Sequence, residues 1–269
     1  MGAIISAESK QSFFITVAGF VLLSTAFFYK PFIRRISLSM VINAKNQIKE
    51  KRPKRIILTR HGQSEANVNH EIYTHIPDNQ ISLTEKGKEQ AEDAAKMLRE
   101  LIGKESIKFM VSPYKRGIQT YEILSSVFTE NIILTHIDPR LREQEFGNFR
   151  DIDTSVVDRT FEERRKVGKF FYRFLNGESW ADVYDRANNV LDNIFRSIDD
   201  IEKYQHQNIV LVCHGLFMRL FIMRFFKMSI EKFDLLASPN NCEIWIIEKN
   251  SEGIYELKST LREDPTYSD

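Results

Sequence analysis

The stretch LTRHGQSEAN, Leu58–Asn67, ends an apolar run with an arginine, a histidine and a glycine in succession. RIILT, Arg55–Thr59, reads as a buried strand. A strand that only closes a core has no use for Arg60, His61 and Gly62 at its end. The triplet predicts a negatively charged group at that end of the strand.

Working outward, apolar runs alternate with helical patterns. LTEKGKEQAEDAAKMLRELI (Leu83–Ile102) is expected as a helix, capped by Thr84, with Ala91, Ala94, Ala95, Leu98 and Ile102 on one face. KFMVS (Lys108–Ser112) is a strand stopped by Pro113, and a helix follows to about Phe128. IILTHI (Ile132–Ile137) and NIVLVC (Asn208–Cys213) are two more strands, the latter leading into the apolar helix GLFMRLFIMRFF. CEIWIIE and IYELKS read as a closing hairpin. Ser179 with Asp182 can cap a helix from Ala181 to about Tyr204. This order predicts an α/β fold: a three-layer sandwich, with a mostly parallel sheet and helices on both faces. The aromatic and basic segment at about 151–178 is too long for a plain connection. It is expected as a helical insertion near the site. Arg159, Arg164, Arg165, Lys166 and Lys169 with Phe170, Phe171, Tyr172 and Arg173 read equally as a lid for an acidic partner or as a solvated amphipathic helix packed on the core.

The first 55 residues differ in character. SFFITVAGFVLLSTAFFY (Ser12–Tyr29) carries no charge and spans 18 residues, near the roughly 17–25 a membrane-crossing helix needs. Lys30, Arg34 and Arg35 follow. The expected organisation is a tail at 1–11, a transmembrane anchor at 12–29 contacting lipid, and a basic juxtamembrane linker at 30–54. A catalytic domain at 55–260 and a tail at 261–269 complete it. The basic excess predicts a single-pass protein with its domain in the cytosol. A signal peptide, a buried helix and N-myristoylation at Gly2, with Ser6 in place, are the competing readings.

Apolar residues at 42% and charged residues at 28% suit a globular domain. Of 38 basic and 37 acidic residues, ten basic and two acidic fall in Met1–Arg55. That leaves 28 basic and 35 acidic for the remainder. So acidic a domain is not expected to bind nucleic acid, and an anion site in it must be built from a few focused cations. Cys213 and Cys242 read as buried thiols.

Ligands of open α/β sheets sit beyond the carboxyl ends of the strands. The residues just past each predicted strand are therefore informative. After the first come Arg60, His61 and Gly62; after the second, Arg116 at a helix start. After the third come Arg140, Arg142, Glu143 and Glu145, and after the fourth His214 and Gly215. Two imidazoles, several guanidiniums and a carboxyl thus converge on one rim, the equipment for handling an anion.

RHGQSEAN, SPYKRGIQT, LREQEFGN, NGES and CHG, in that order, resemble the histidine phosphatase superfamily, also called phosphoglycerate mutase-like, over Arg55 to about Glu248. YTHIPD, GKFFYRF and NGESWADVYDR are similar to its plant and fungal branch of broad acid phosphatases. The resemblance implies hydrolysis of a phosphorylated small molecule or phosphoprotein, with His61 as nucleophile forming a phosphohistidine. It implies Arg60, Asn67, Arg116 and His214 on the phosphate, with Gly62 allowing close approach, and Glu143 as proton donor with Glu145 as its rival. Thr120 matches as well and reads as structural, while His70 and His75 read as mouth or loop residues. No cofactor and no metal are implied, because the arginines neutralise the phosphate. A protonated carboxyl donor implies faster turnover at mildly acidic pH. Two alternatives stand beside this reading: a phosphoglycerate mutase-type transferase, and a scaffold that holds phosphate without turnover. EQEFG, where true mutases carry ERHYG, favours hydrolysis.

Overall fold

The computed structural model describes residues 52–147, 154–196 and 207–264. Strand β1 (Arg55–Arg60) leads through the short helix α1 (Glu65–Val68) to α2 (Glu85–Ile102). Next come β2 (Ile107–Val111), α3 (Lys115–Ser125), β3 (Ile132–Ile137), α4 (Thr154–Val167) and α5 (Trp180–Arg196). The order closes with β4 (Asn208–Cys213), α6 (Gly215–Phe226), α7 (Ile230–Asp234), β5 (Ile244–Lys249) and β6 (Tyr255–Leu257).

One six-stranded sheet runs β3-β2-β4-β1-β5-β6. The first four strands are parallel, and β5 and β6 add the expected antiparallel hairpin. β1, β2 and β4 are apolar without alternation because both of their faces are covered. Side chains one residue apart point to opposite faces. Ile56, Leu58, Met110, Ile209 and Leu211 join a core with α5 and α6. Ile57, Phe109, Val111, Val210 and Val212 join another with α2 and α3. β3 lies at the sheet's edge and leaves Ile133 and Ile137 exposed.

Local signals hold. Thr84 Oγ1 accepts from the Gly87 N–H at 3.1 Å, and the predicted face of α2 is buried. Ser179 and Asp182 cap α5 reciprocally: the Ser179 N–H donates to Asp182 Oδ2 at 2.7 Å, and the Asp182 N–H donates to Ser179 Oγ at 3.2 Å. Cys213 and Cys242 are free and buried. The segment at 151–178 contains α4 and then irregular chain. Phe170 and Phe174 are buried there, while Phe171 is exposed.

One part of the expected architecture is corrected. Among the described residues no helix is long and apolar enough to cross a membrane. The physical reasons differ between the two nearest cases. α2 has 18 residues but a charged outer face. α6 is apolar nearly all round because it is wedged between the sheet and α5, and its 12 residues span about 18 Å against roughly 30 Å of hydrocarbon. The fold is thus a mixed α/β domain. The transmembrane helix, its lipid contact and the single-pass localisation are withdrawn. Residues 12–29, on which they rested, lie outside the described residues, as do the tail at 1–11 and most of the linker at 30–54.

Two glycines let the loop after β1 lie on the start of α2. A Cβ on Gly62 would overlap the Gly87 carbonyl oxygen, and a Cβ on Gly87 would overlap that of Gln63. Glycine in a helix ordinarily costs about 1 kcal/mol relative to alanine. Here Gly87→Ala is expected to destabilise by about 1–3 kcal/mol, because backbone must move to admit the methyl. Urea denaturation checks the sign.

Candidate active site

Parallel pairing brings the strand ends together. Arg60 on β1 is in register with Cys213 on β4, and Val111 on β2 with Val212. His61, His214 and Ser112 therefore emerge side by side. The His61 N–H continues the ladder to the Cys213 carbonyl at 3.0 Å, and the Ser112 N–H reaches the Val212 carbonyl at 2.9 Å. The rings of His61 and His214 lie edge to face, 5.1 Å between centroids.

His61 is buried and held at both nitrogens. Nδ1 lies 2.7 Å from the Gly62 carbonyl oxygen, which can only accept, so Nδ1 carries the hydrogen. Nε2 then carries the lone pair, and the Arg116 Nε–H donates to it at 3.2 Å. Burial holds the His61 pKa well below the ordinary imidazole value, and the guanidiniums of Arg116 and Arg60 add to the effect. A neutral ring with one tautomer fixed, on the wall of a cavity, is a competent nucleophile once its Nε2 lone pair is released from Arg116.

Arg116 is itself pinned. Its Nη1 donates to Asp78 Oδ1 at 2.9 Å and to the Asp78 carbonyl at 2.7 Å, both groups being buried. Arg60 Nη1 donates to the Pro239 carbonyl at 2.7 Å. Asn67 Oδ1 accepts from the Ser64 N–H and the Asn241 Nδ2–H, which turns its own amide N–H₂ away from them. Asn241 also donates to the His61 carbonyl at 3.1 Å. Thr120 Oγ1 accepts from the Gly62 N–H and donates to the Arg116 carbonyl, the structural part expected of it.

A cavity of about 450 Å³ opens over these groups. Arg60, His61, Asn67 and Arg116 line it together with Glu143, and His70, Tyr73 and Phe146 form the mouth. Burial raises the Glu143 pKa above the usual carboxyl value, against the pull of Arg116 and Arg60. Glu145 does not line this cavity; its Oε1 accepts from the Gly147 N–H instead. His70 reaches the mouth, and His75 does not line it. The basic residues of α4 do not line it either, and the insertion meets it through Phe174, whose ring packs on Phe146 at 5.3 Å.

The histidine phosphatase superfamily (branch 1) matches residues 56–260. The chain belongs to this superfamily. Among its relatives, phosphoglycerate mutase-like protein AT74 of Arabidopsis thaliana is 41% identical, across 76% of this chain and 68% of its own length. Broad-range acid phosphatase DET1 of Saccharomyces cerevisiae is 28% identical, across 78% of this chain and 90% of its own. The mycobacterial glucosyl-3-phosphoglycerate phosphatase, solved in complex with VO3, superposes with a TM-score of 0.59 at 21% identity, over 78% of this chain and 98% of that one. The expected family, and the expectation of an enzyme of the phosphatase class, are borne out.

In this histidine phosphatase, several residues that the sequence did not single out hold the site together. Asp78, Ser112 and Asn241 are three. Arg186 and Glu178 are another two, and they fix the loop that carries Glu143. Arg186 Nη1 donates to the Arg140 and Arg142 carbonyls at 2.8 and 2.9 Å, and Nη2 donates to that of Glu143 at 3.1 Å. Its Nε and Nη2 grip Glu178 at 2.9 and 2.8 Å, and Glu178 Oε2 accepts from the Glu145 N–H. The only signals for them were the acid in NGES and an arginine in mid-helix. Arg186→Ala removes a shared donor from three carbonyls and leaves Glu178 to Arg142 and the Glu145 N–H, and is expected to destabilise by about 2–4 kcal/mol. Thermal unfolding, with activity of the folded fraction, measures it.

Proposed function

We propose that this chain hydrolyses phosphomonoesters through a phosphohistidine on His61, without a metal. The observation that carries the reading is the His61 ring, whose Nδ1–H is bound to the Gly62 carbonyl and whose Nε2 lone pair is met by Arg116, at a cavity that His61, Arg60 and Arg116 all line.

Arg60 and Arg116 bind the phosphoryl oxygens, and the Asn67 amide and the His214 ring complete the cradle. The Nε2 lone pair of His61 attacks phosphorus. The ester P–O bond breaks, and the alkoxide takes its proton from the Glu143 carboxyl. The phosphorylated ring is cationic, and its Nδ1–H remains on the Gly62 carbonyl, which offsets the charge. Water then attacks phosphorus while the Glu143 carboxylate takes its proton. The P–N bond breaks, its electron pair returns to Nε2, and inorganic phosphate leaves. The kinship with a broad-range acid phosphatase favours small phosphorylated substrates over a mutase cycle.

Release of p-nitrophenol from its phosphate ester is the direct test. His61→Ala is expected to lower it by about 10³-fold or more, and rapid acid-sensitive ³²P labelling of the wild type should be lost with it. EDTA should leave the rate unchanged. Equal release by both proteins removes the assignment of His61, and none by either favours a phosphate-holding scaffold.

The two shifted groups set the pH profile. The carboxyl must be protonated to donate, so kcat/KM falls as pH rises through the raised Glu143 pKa. The imidazole must be neutral to attack, so the acid limb appears only below the ordinary histidine value. The optimum is expected on the acid side of neutrality. Glu143→Gln should cost alkyl phosphates about 10²–10³-fold and erase the alkaline limb. It should cost p-nitrophenyl phosphate much less, since that leaving group needs little protonation.

A further inference from the structure

The two buried histidines have different partners, and the difference decides which ring atom each one presents. At His61 a carbonyl fixes the hydrogen on Nδ1. At His214, Nε2 lies 2.8 Å from Ser112 Oγ, a group able to donate or accept. The Tyr114 N–H donates to that same oxygen at 3.3 Å. Among the described residues the hydroxyl hydrogen then has one acceptor within reach, His214 Nε2. A buried hydroxyl places its hydrogen where an acceptor stands, so Nε2 is the acceptor. The hydrogen of the neutral ring consequently sits on Nδ1.

That Nδ1 is buried and has no hydrogen-bond partner among the described residues. Glu143 Oε2 is 3.9 Å away, beyond bonding distance. Burial, with Arg116 and His61 nearby, keeps the ring neutral. A buried donor left open in this way, beside the nucleophile, awaits an acceptor that arrives with the ligand.

We propose that Ser112 is a positioning residue that holds His214 in its Nδ1–H tautomer, so that a neutral ring donates from Nδ1 to a phosphoryl oxygen. This rests on the phosphatase reading above. The two rings share a tautomer and face the phosphorus with opposite nitrogens: a lone pair from His61, a hydrogen from His214. With the Ser112 hydroxyl removed, the Nε2–H form of His214 becomes accessible and turns a lone pair toward the oxyanion.

Long-range ¹H–¹⁵N correlation spectra of the ¹⁵N-histidine-labelled full-length chain, taken without substrate, read the tautomer directly. The His214 signals are identified by their loss in His214→Gln. The wild type is expected to show Nε2 unprotonated and Nδ1 protonated. Ser112→Ala is expected to shift His214 toward Nε2–H and to lower kcat on p-nitrophenyl phosphate about tenfold, with KM within about twofold. Ser112→Thr, which keeps the hydroxyl, should restore the wild-type spectrum. An Nε2–H His214 ring in the wild type overturns the proposal, whether or not the Ser112 variants fold. So does an unchanged Nδ1–H ring in Ser112→Ala. An inert protein with the expected spectra upholds the Ser112 assignment and rejects hydrolysis instead.

Discussion

The parallel pairing of β1 with β4 is the constraint on which the site depends. It joins segments about 150 residues apart in sequence and fixes Arg60 opposite Cys213. Each strand ends at the same level, so the next residue on each is a histidine and the rings meet. A slip of one residue would turn every apolar side chain of the strand to the opposite face. Both faces are filled by helices, so the register is held by two cores at once. The chemistry inherits its precision from packing that never touches the ligand.

Burial then acts on both kinds of titratable group in the pocket. It disfavours charge, and so lowers the imidazoles while raising the carboxyl. Such an environment favours the unprotonated form of a base and the protonated form of an acid. Arg116 stays in this apolar setting because Asp78 meets it with both side chain and backbone. His214 also serves as the N-cap residue of α6, so the N-terminus of that helix begins beside the His61 ring.

Much of this was legible in the sequence. The strands were plain because uninterrupted apolar runs admit few other readings, and unusual residues followed each of them. His61, Arg116, His214 and Glu143 were visible as polar groups at strand ends; the structure places His61, Arg116 and Glu143 on one cavity, with the buried His214 ring against that of His61. The supporting residues were not visible. Asp78, Ser112 and Asn241 are common types in turns, and their importance lies in partners 38, 102 and 180 positions away. His70 looked like a loop residue, since nothing local shows that its turn folds over the mouth. The expected transmembrane helix came from the length of a charge-free run and the basic residues after it, and apolar character alone does not distinguish lipid from a protein core, as α6 shows.

The loop carrying Glu143 is fastened differently from the rest of the pocket. It hangs from Arg186 on α5 and from Glu178, whereas the cradle around His61 is tied to β1, β4, α3 and the turn at Asp78. Under the proposed mechanism, proton delivery and phosphorus chemistry thus hang on separate sets of hydrogen bonds, although α5 shares a core with β1 and β4. Under that mechanism, substitutions in the Glu143 loop would alter which alcohols depart without changing a hydrogen bond around His61. Such a division is one physical route by which a single scaffold comes to serve many esters.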